Sequence, residues 1–298
     1  MISLQKSSTI VCGLCPHLCQ LKLGKTGFCG VRKNIDGKVV SLDYGHISAI
    51  NMDPIEKKPL YHFHPGTQIL SIGSFGCNLT CKHCQNHTIA QGDFSWLGQI
   101  EKKDTTQQFL DASNFVLPEK LVNKLDEPQF NTSLGIAYTY NEPIVWYEYM
   151  CDCAALVHKK GKLNVMVSNG YINKDPLQQL FPLIDAFSID LKAFSDDFYT
   201  QVSGGHLQPV LDTLELIAHS DKHLEIEYLV IPGLNDDVKE FNNMLNWYVT
   251  HLGRQVPLHV NRYFPQYKMH LPPTPIETLE KLADQASAVL DYVHVGNV

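Results

Sequence analysis

Three cysteines fall within the stretch SIGSFGCNLTCKHCQN (71–86), spaced as Cys77-x3-Cys81-x2-Cys84. Thiols set this close point to metal or redox chemistry before they point to packing. A structural zinc ion takes four protein ligands, and here the fourth would have to be His83, His87 or a distant residue. His83 sits between Cys81 and Cys84, too constrained to join both on one ion. The other chemistry open to three thiolates is a [4Fe–4S] cluster in which one iron has no protein ligand. That iron would be an open coordination position, of use only if a small molecule binds there.

A second group lies near the N-terminus. CGLCPHLCQLKLGKTGFCGVRKN (12–34) places Cys12, Cys15, Cys19 and Cys29 as C-x2-C-x3-C-x9-C. Four thiols suffice for a closed site, and either structural zinc or a second iron–sulfur cluster answers to them. The spacing is not that of a ferredoxin, so it leaves the metal open. The remaining Cys151 and Cys153 fall on a helical pattern and read as buried small side chains. His62 and His64 in YHFHPG would share one face of an extended strand, with an ordinary hydrogen-bonded role expected. LKLGKTG (21–27) is not a P-loop, because Cys19 stands where the motif needs a glycine.

The elements that would position these residues follow from periodicity. From Gln68 onward, short apolar runs read as buried strands: QILSIGS (68–74), SLGIAYT (133–139), LNVMVS (163–168), AFSIDLK (186–192), LEIEYLVI (224–231) and VPLHVNRYF (256–264). Amphipathic stretches at 144–160, 176–181, 210–219, 236–252 and 275–290 read as helices between them. Strands alternating with helices imply parallel pairing with right-handed crossovers. Residues of chemical character follow the strands: the cysteines, YNEP, SNG, DLK and IPGLND, with His259 and Arg262 in the sixth. Signals after so many successive strands fit the rim of a barrel, whose sites collect at the C-terminal ends of its strands. The expected fold is therefore α/β, a partial (β/α)6 TIM-like barrel over 67–298 behind a small cysteine-rich segment over 1–66. In that barrel His259 is expected to aim at the mouth.

Composition narrows the partners. The 298 residues carry a net charge of −7, and the three arginines (Arg32, Arg254, Arg262) are not clustered. A phosphate-tracking groove is not expected, and so no nucleic-acid partner. No apolar run approaches the roughly 20 residues that span a bilayer, and the N-terminus lacks a signal-peptide core. No membrane association and a cytoplasmic location are expected.

The C-x3-C-x2-C motif resembles the signature of the radical S-adenosylmethionine (radical SAM) enzymes. CxxCPHxC…GFCGVRKN, DPIEKKPLYHFHPG (53–66) and the three-cysteine motif together look like the AmmeMemoRadiSam-system radical SAM proteins, relatives of pyruvate formate-lyase activating enzymes. The resemblance implies that Cys77, Cys81 and Cys84 hold a [4Fe–4S] cluster whose open iron chelates S-adenosylmethionine. Reductive cleavage then yields a 5′-deoxyadenosyl radical that abstracts hydrogen from a substrate. It further implies that Glu142, in TYNEP (139–143), meets the cofactor's amino end as the family's Gly-Gly-Glu-Pro does. Ser168 and Asn169 of SNG would lie near the ribose and methionyl region, with Asp190 and Lys192 of DLK near the carboxylate. His83 stands where the family places an aromatic ring against the adenine. A low-potential donor such as flavodoxin or ferredoxin is implied. Three readings follow: activation of a protein by hydrogen abstraction from a glycine, a radical step on a small molecule, and a non-enzymatic electron carrier or metal-stapled scaffold. The open iron argues against the last.

Overall fold

The computed structural model describes residues 9–97 and 115–298. The chain begins with two small antiparallel ladders, β1 (Ile10–Val11) with β2 (Gln20–Leu21) and β3 (Arg32–Ile35) with β4 (Lys38–Ser41). The main sheet then takes β5 (Ala49–Pro54), β6 (Gln68–Gly73), β7 (Ser133–Tyr138), β8 (Leu163–Ser168), β9 (Ala186–Asp190), β10 (His223–Val230), β11 (Leu258–Arg262) and β12 (Val293–Gly296). Its order is β12-β11-β10-β9-β8-β7-β6-β5. Every pair from β6 to β12 is parallel, and β5 alone runs antiparallel, with Ala49 opposite Gly73 and Pro54 opposite Gln68.

Each parallel pair needs a long return, and α1 (Tyr147–Lys159), α2 (Lys174–Leu180), α3 (Leu207–Ala218), α4 (Val238–His251) and α5 (Ile276–Ser287) supply five of them. Their apolar stripes cover the sheet. On α3, Val210, Leu211, Leu214 and Ile217 recur at spacings of three and four, and all are buried. On α1, Cys153 is part of the corresponding stripe with Tyr149, Met150 and Val157. Covered on both faces, the inner strands read as nearly unbroken apolar runs.

All six strands expected from the sequence are present, and the sheet carries two more. Both additions are edges. β12 is half-buried along its length and β5 alternates irregularly, so neither has the apolar content of an inner strand.

The sheet curls. Between β5 and β6 the YHFHPG segment crosses the N-terminal end of the strands. The backbone N–H groups of Tyr61 and His62 donate to Glu225 on β10, at 3.0 and 2.7 Å. His62 Nε2 lies 2.8 Å from His294 Nε2 on β12, and the Tyr61 ring meets His259 of β11 edge-on. A segment beside one edge thus touches the three strands at the other. Phe63 fills the space between, against Ile69, Ala137, Val165 and Ala186. The segment is a turn rather than a strand, with His64 at a left-handed φ of 50°, so His62 and His64 do not share a face. The strands β5 and β12 are not hydrogen-bonded to each other, and the barrel is open.

Candidate active site

The opposite, C-terminal end of the sheet carries the chemistry. After β6 the chain crosses this end through residues 74–86, bearing Cys77, Cys81 and Cys84. Four other segments clamp it. Asn141, just past β7, accepts from Ser74 N (2.9 Å) and donates to Gly76 O (3.0 Å). Asn86 Nδ2 donates to Tyr140 O at 2.7 Å, and Asn78 Nδ2 to Tyr171 O at 2.7 Å. The single π-helical turn Tyr199–Ser203 accepts from Thr80 N (2.7 Å) and Lys82 N (3.0 Å), while Lys268 N donates to Lys82 O.

Two backbone positions show how closely this is built. Tyr140 holds a left-handed φ of 70° where the similar family motif has glycine. The strain, about 1–2 kcal/mol, is offset by anchoring: Tyr140 Oη donates to Asp53 Oδ2 at 2.7 Å, and Lys58 Nζ lies over its ring. Gly204 has φ of 77°, and a Cβ there would come 2.2 Å from Thr80 Oγ1. Gly204→Ala is expected to push the cysteine loop off its clamp and at least halve the iron retained after anaerobic reconstitution. The strained φ alone costs about 1–2 kcal/mol. Iron content and melting temperature equal to wild type would refute that coupling.

Three thiols on one loop suit a four-iron cluster, which takes each thiolate on a different iron, whereas a closed zinc site needs a fourth protein ligand. Donors already point at Cys77 Sγ, from Leu79 N at 3.3 Å and Asn169 Nδ2 at 3.7 Å. Nearby, His83 Nδ1 is buried with no hydrogen-bond partner, and the enclosed Ser203 hydroxyl faces Cys81. Burial pushes the Cys84 thiol up to about 11 and raises Cys77 and Cys81 as well, so iron must take each proton's place.

Around the thiols the structure brings together most of the residues expected from sequence. Glu142 is buried; its Oε1 accepts from Ser168 Oγ (2.8 Å) and Ile144 N (3.0 Å), and its Oε2 from Asn169 N (2.9 Å). Burial pushes this carboxyl up to about 7 despite those donors. Its oxygens therefore join the loops after β7 and β8. Asn169 Nδ2 also donates to Asn78 Oδ1 at 2.9 Å. Lys192 Nζ pairs with Asp190 Oδ2 at 2.8 Å. Burial works against this ammonium, but Asp190 and Cys81 opposite hold it above the ordinary lysine range. Burial, with the Lys192 charge, pushes the His83 imidazole down to about 3, so the ring is neutral. On the next strand Glu227 is half-buried beside Asp190 and hydrogen-bonded to Asn261, with its enclosed Oε1 unpartnered.

His259 does not join this group. It is the second residue of β11, at the closed N-terminal end, with Nε2 bonded to Glu225 Oε2 at 2.7 Å and its ring between Tyr61 and His294. Its inward-facing position was legible, but its depth along the barrel was not. Just past IPGLND (231–236), Asp237 caps α4, and Asn235 within the loop ties it to the Lys192 carbonyl at 2.7 Å. The asparagines Asn78, Asn86, Asn141 and Asn235 were missed by sequence reasoning. A run of asparagines at the ends of strands was the available signal.

The fold and its mouth are those of an α/β-barrel enzyme with its site at the C-terminal ends of the strands. The chain belongs to the radical SAM superfamily, whose family model matches residues 71–245. Members of this superfamily work with a [4Fe–4S] cluster and S-adenosylmethionine, and this chain uses both. It is 40% identical over 289 residues to the uncharacterized protein MJ0808 of Methanocaldococcus jannaschii, covering 96% of this chain and 81% of that one. It is 22% identical over 175 residues to the pyruvate formate-lyase 1-activating enzyme of Escherichia coli, covering 58% of this chain and 65% of that one. In fold it is similar to a radical SAM methyltransferase from Sphaerobacter thermophilus, with a TM-score of 0.55, 14% identity, and coverage of 78% of this chain and 67% of that one. No helix among the described residues is long and apolar enough to cross a membrane.

Proposed function

We propose that Cys77, Cys81 and Cys84 hold the cluster at this mouth, and that the chain is an activating enzyme that takes hydrogen from a glycine of a protein substrate. The observation that carries the site is the set of three thiols on one loop at the C-terminal end of the barrel, Cys81 buried and Cys77 and Cys84 half-buried. When bound, the cluster and S-adenosylmethionine supply the 5′-deoxyadenosyl radical. The protein's residues do the rest. Asn169 and Leu79 N–H direct donors at Cys77, Glu142 fixes the loop bearing Asn169, and the Asp190–Lys192 pair presents opposite charges for the cofactor's amino and carboxylate groups. His83 contributes a neutral planar ring for the adenine. The plug of Tyr61, His62 and Phe63 closes the lower end, so water is kept from that side and a substrate approaches from the mouth.

Similarity to an activating enzyme supports the protein-substrate reading. A one-electron donor of low potential, of the flavodoxin or ferredoxin type, would serve as partner. The reconstituted protein, given reductant and S-adenosylmethionine without air, is expected to form 5′-deoxyadenosine; none from an iron-loaded sample would overturn the reading. Extract from the native host fed α-deuterated glycine then separates the substrates. Deuterium entering 5′-deoxyadenosine from the macromolecular fraction supports activation, and label from the small-molecule fraction alone refutes it.

A further inference from the structure

Between the mouth and the plug, the inner wall of the barrel carries one carboxyl that the proposed chemistry leaves unused. Ala186 on β9 packs with Phe63 of the plug, so Ser188 and Asp190, two and four residues on, face the same interior. The register of β10 puts Glu225 opposite Ser188 and Glu227 opposite Asp190. On β11, His259 stands opposite Glu227, and Asn261 follows on the same face. Glu225 is held by the plug and Asp190 by Lys192. Glu227 lies between them.

Its setting is built. Asn261 Nδ2 donates to Glu227 Oε2, and Oε1 has no partner. Asn261 keeps this position because Gly296 lies opposite it on β12, where a Cβ would meet the Asn261 side-chain oxygen. A carboxylate offers about four acceptor positions, and the Asn261 amide fills one. Glu227 is half-buried, with the plug closing the barrel beneath it.

Ser188 supplies a second, independent observation. It is 0% exposed, and its hydroxyl has no hydrogen-bond partner. A buried polar group left unpaired costs about 1–3 kcal/mol, and an entering polar group removes that cost. Two orphaned groups thus face one interior from adjoining strands.

Charge decides the kind of group. Asp190 and Glu225 flank Glu227, and the Lys192 ammonium is already paired with Asp190. His223 and His259 are engaged by Glu225. Across the barrel, Lys58 is paired with Asp53 at 2.9 Å. Burial, with the Asp190 charge, pushes the Glu227 carboxyl well above its usual range. A cation entering beside it takes the place of the proton, whereas a neutral donor leaves the carboxylate charge unpaired.

We propose that Glu227, with Ser188 beside it, binds a lysine or arginine side chain of the substrate inside the barrel. That the occupant is a protein rests on the function proposed above, whereas the cation site rests on Glu227 and its surroundings. The basic side chain fixes how deep the substrate segment sits, and so which of its residues meets the radical.

The test uses the anaerobically reconstituted full chain with S-adenosylmethionine bound, and two capped peptides Ala-Gly-Xaa-Ala. Xaa is arginine in one and citrulline, a neutral side chain of nearly the same shape, in the other. Ligand-observed nuclear magnetic resonance is expected to find the arginine peptide bound about tenfold more tightly. Glu227→Gln should abolish that preference and leave the affinity for S-adenosylmethionine unchanged. Equal binding of the two peptides by the wild type, or binding of neither, overturns the proposal without recourse to any variant. A preference that survives Glu227→Gln overturns it as well, and so does displacement of S-adenosylmethionine by the arginine peptide. n-Butylguanidinium bound while the arginine peptide is excluded would make the occupant a small-molecule cation and refute its source in a protein. Formation of 5′-deoxyadenosine by the same samples judges the radical SAM reading separately. Its formation without a cation preference sinks only this inference, and a preference without its formation sinks only that reading.

Discussion

Cys81→Ala is expected to lower 5′-deoxyadenosine formation to background, a loss larger than the roughly 10–100-fold seen when a residue merely supporting a metal ligand is changed. About four irons per chain should be lost with it. Cys81 is the most enclosed of the three thiols, set between the Lys192 ammonium and Ser203 on the π-helical turn. Without Cys81, Cys77 and Cys84 can hold only two corners of the cube, and a second iron is left with no thiolate. The control is Cys153→Ala, a wholly buried cysteine on the core stripe of α1, which should cost about 1 kcal/mol of stability and no iron. Cleavage surviving Cys81→Ala, with iron retained, would remove the basis of the assigned site.

Glu225→Gln is expected to be the most damaging single change away from the mouth. The carboxylate accepts from His223, His259 and the backbone N–H groups of Tyr61 and His62, so one side chain joins β10 and β11 to the plug. Burial opposes its charge, but these four partners outweigh burial and bring it down to about 2 from an ordinary 4.5. As pH falls, the unfolded chain therefore takes up the proton first. The stabilisation is complete above about pH 4.5 and is lost as pH falls through about 2. The shift corresponds to about 3 kcal/mol at neutral pH. Urea unfolding at pH 7 should show a loss of that order, shrinking as the pH of the measurement falls from 4.5 toward 2. A loss independent of pH over that window would mean that Glu225 acts by shape alone.

The inner strands, the helices between them and the thiols at the mouth were legible because each announces itself locally. β6 to β11 are covered on both faces and must be apolar throughout. The edges β5 and β12 face the core on one side only, and their composition resembles that of loops. Depth along the barrel was the second loss. Alternation shows which way His259 faces, but only the crossing of the YHFHPG segment beneath β10, β11 and β12 puts it at the closed end. The third was the clamping by asparagine. Asn78, Asn86 and Asn141 act through backbone carbonyls and amides of segments distant in sequence, and no spacing rule exposes such a partner. Tyr140 shows the opposite case, a position whose left-handed backbone is written in the glycine of similar motifs and hidden in this chain by a side chain that is tied down elsewhere.

The plug gives the molecule a timetable. Its contacts join residues 164 and 232 positions apart, Tyr61 to Glu225 and His62 to His294, so they form only once nearly the whole chain has been made. The loop carrying Cys77, Cys81 and Cys84 likewise lacks its clamp until Tyr199–Ser203 has been made, so its three thiols wait for partners translated well after them. For a cell, the vulnerable form of this protein is the nascent one. Oxygen reaching it during synthesis would strike the very residues on which the finished enzyme depends.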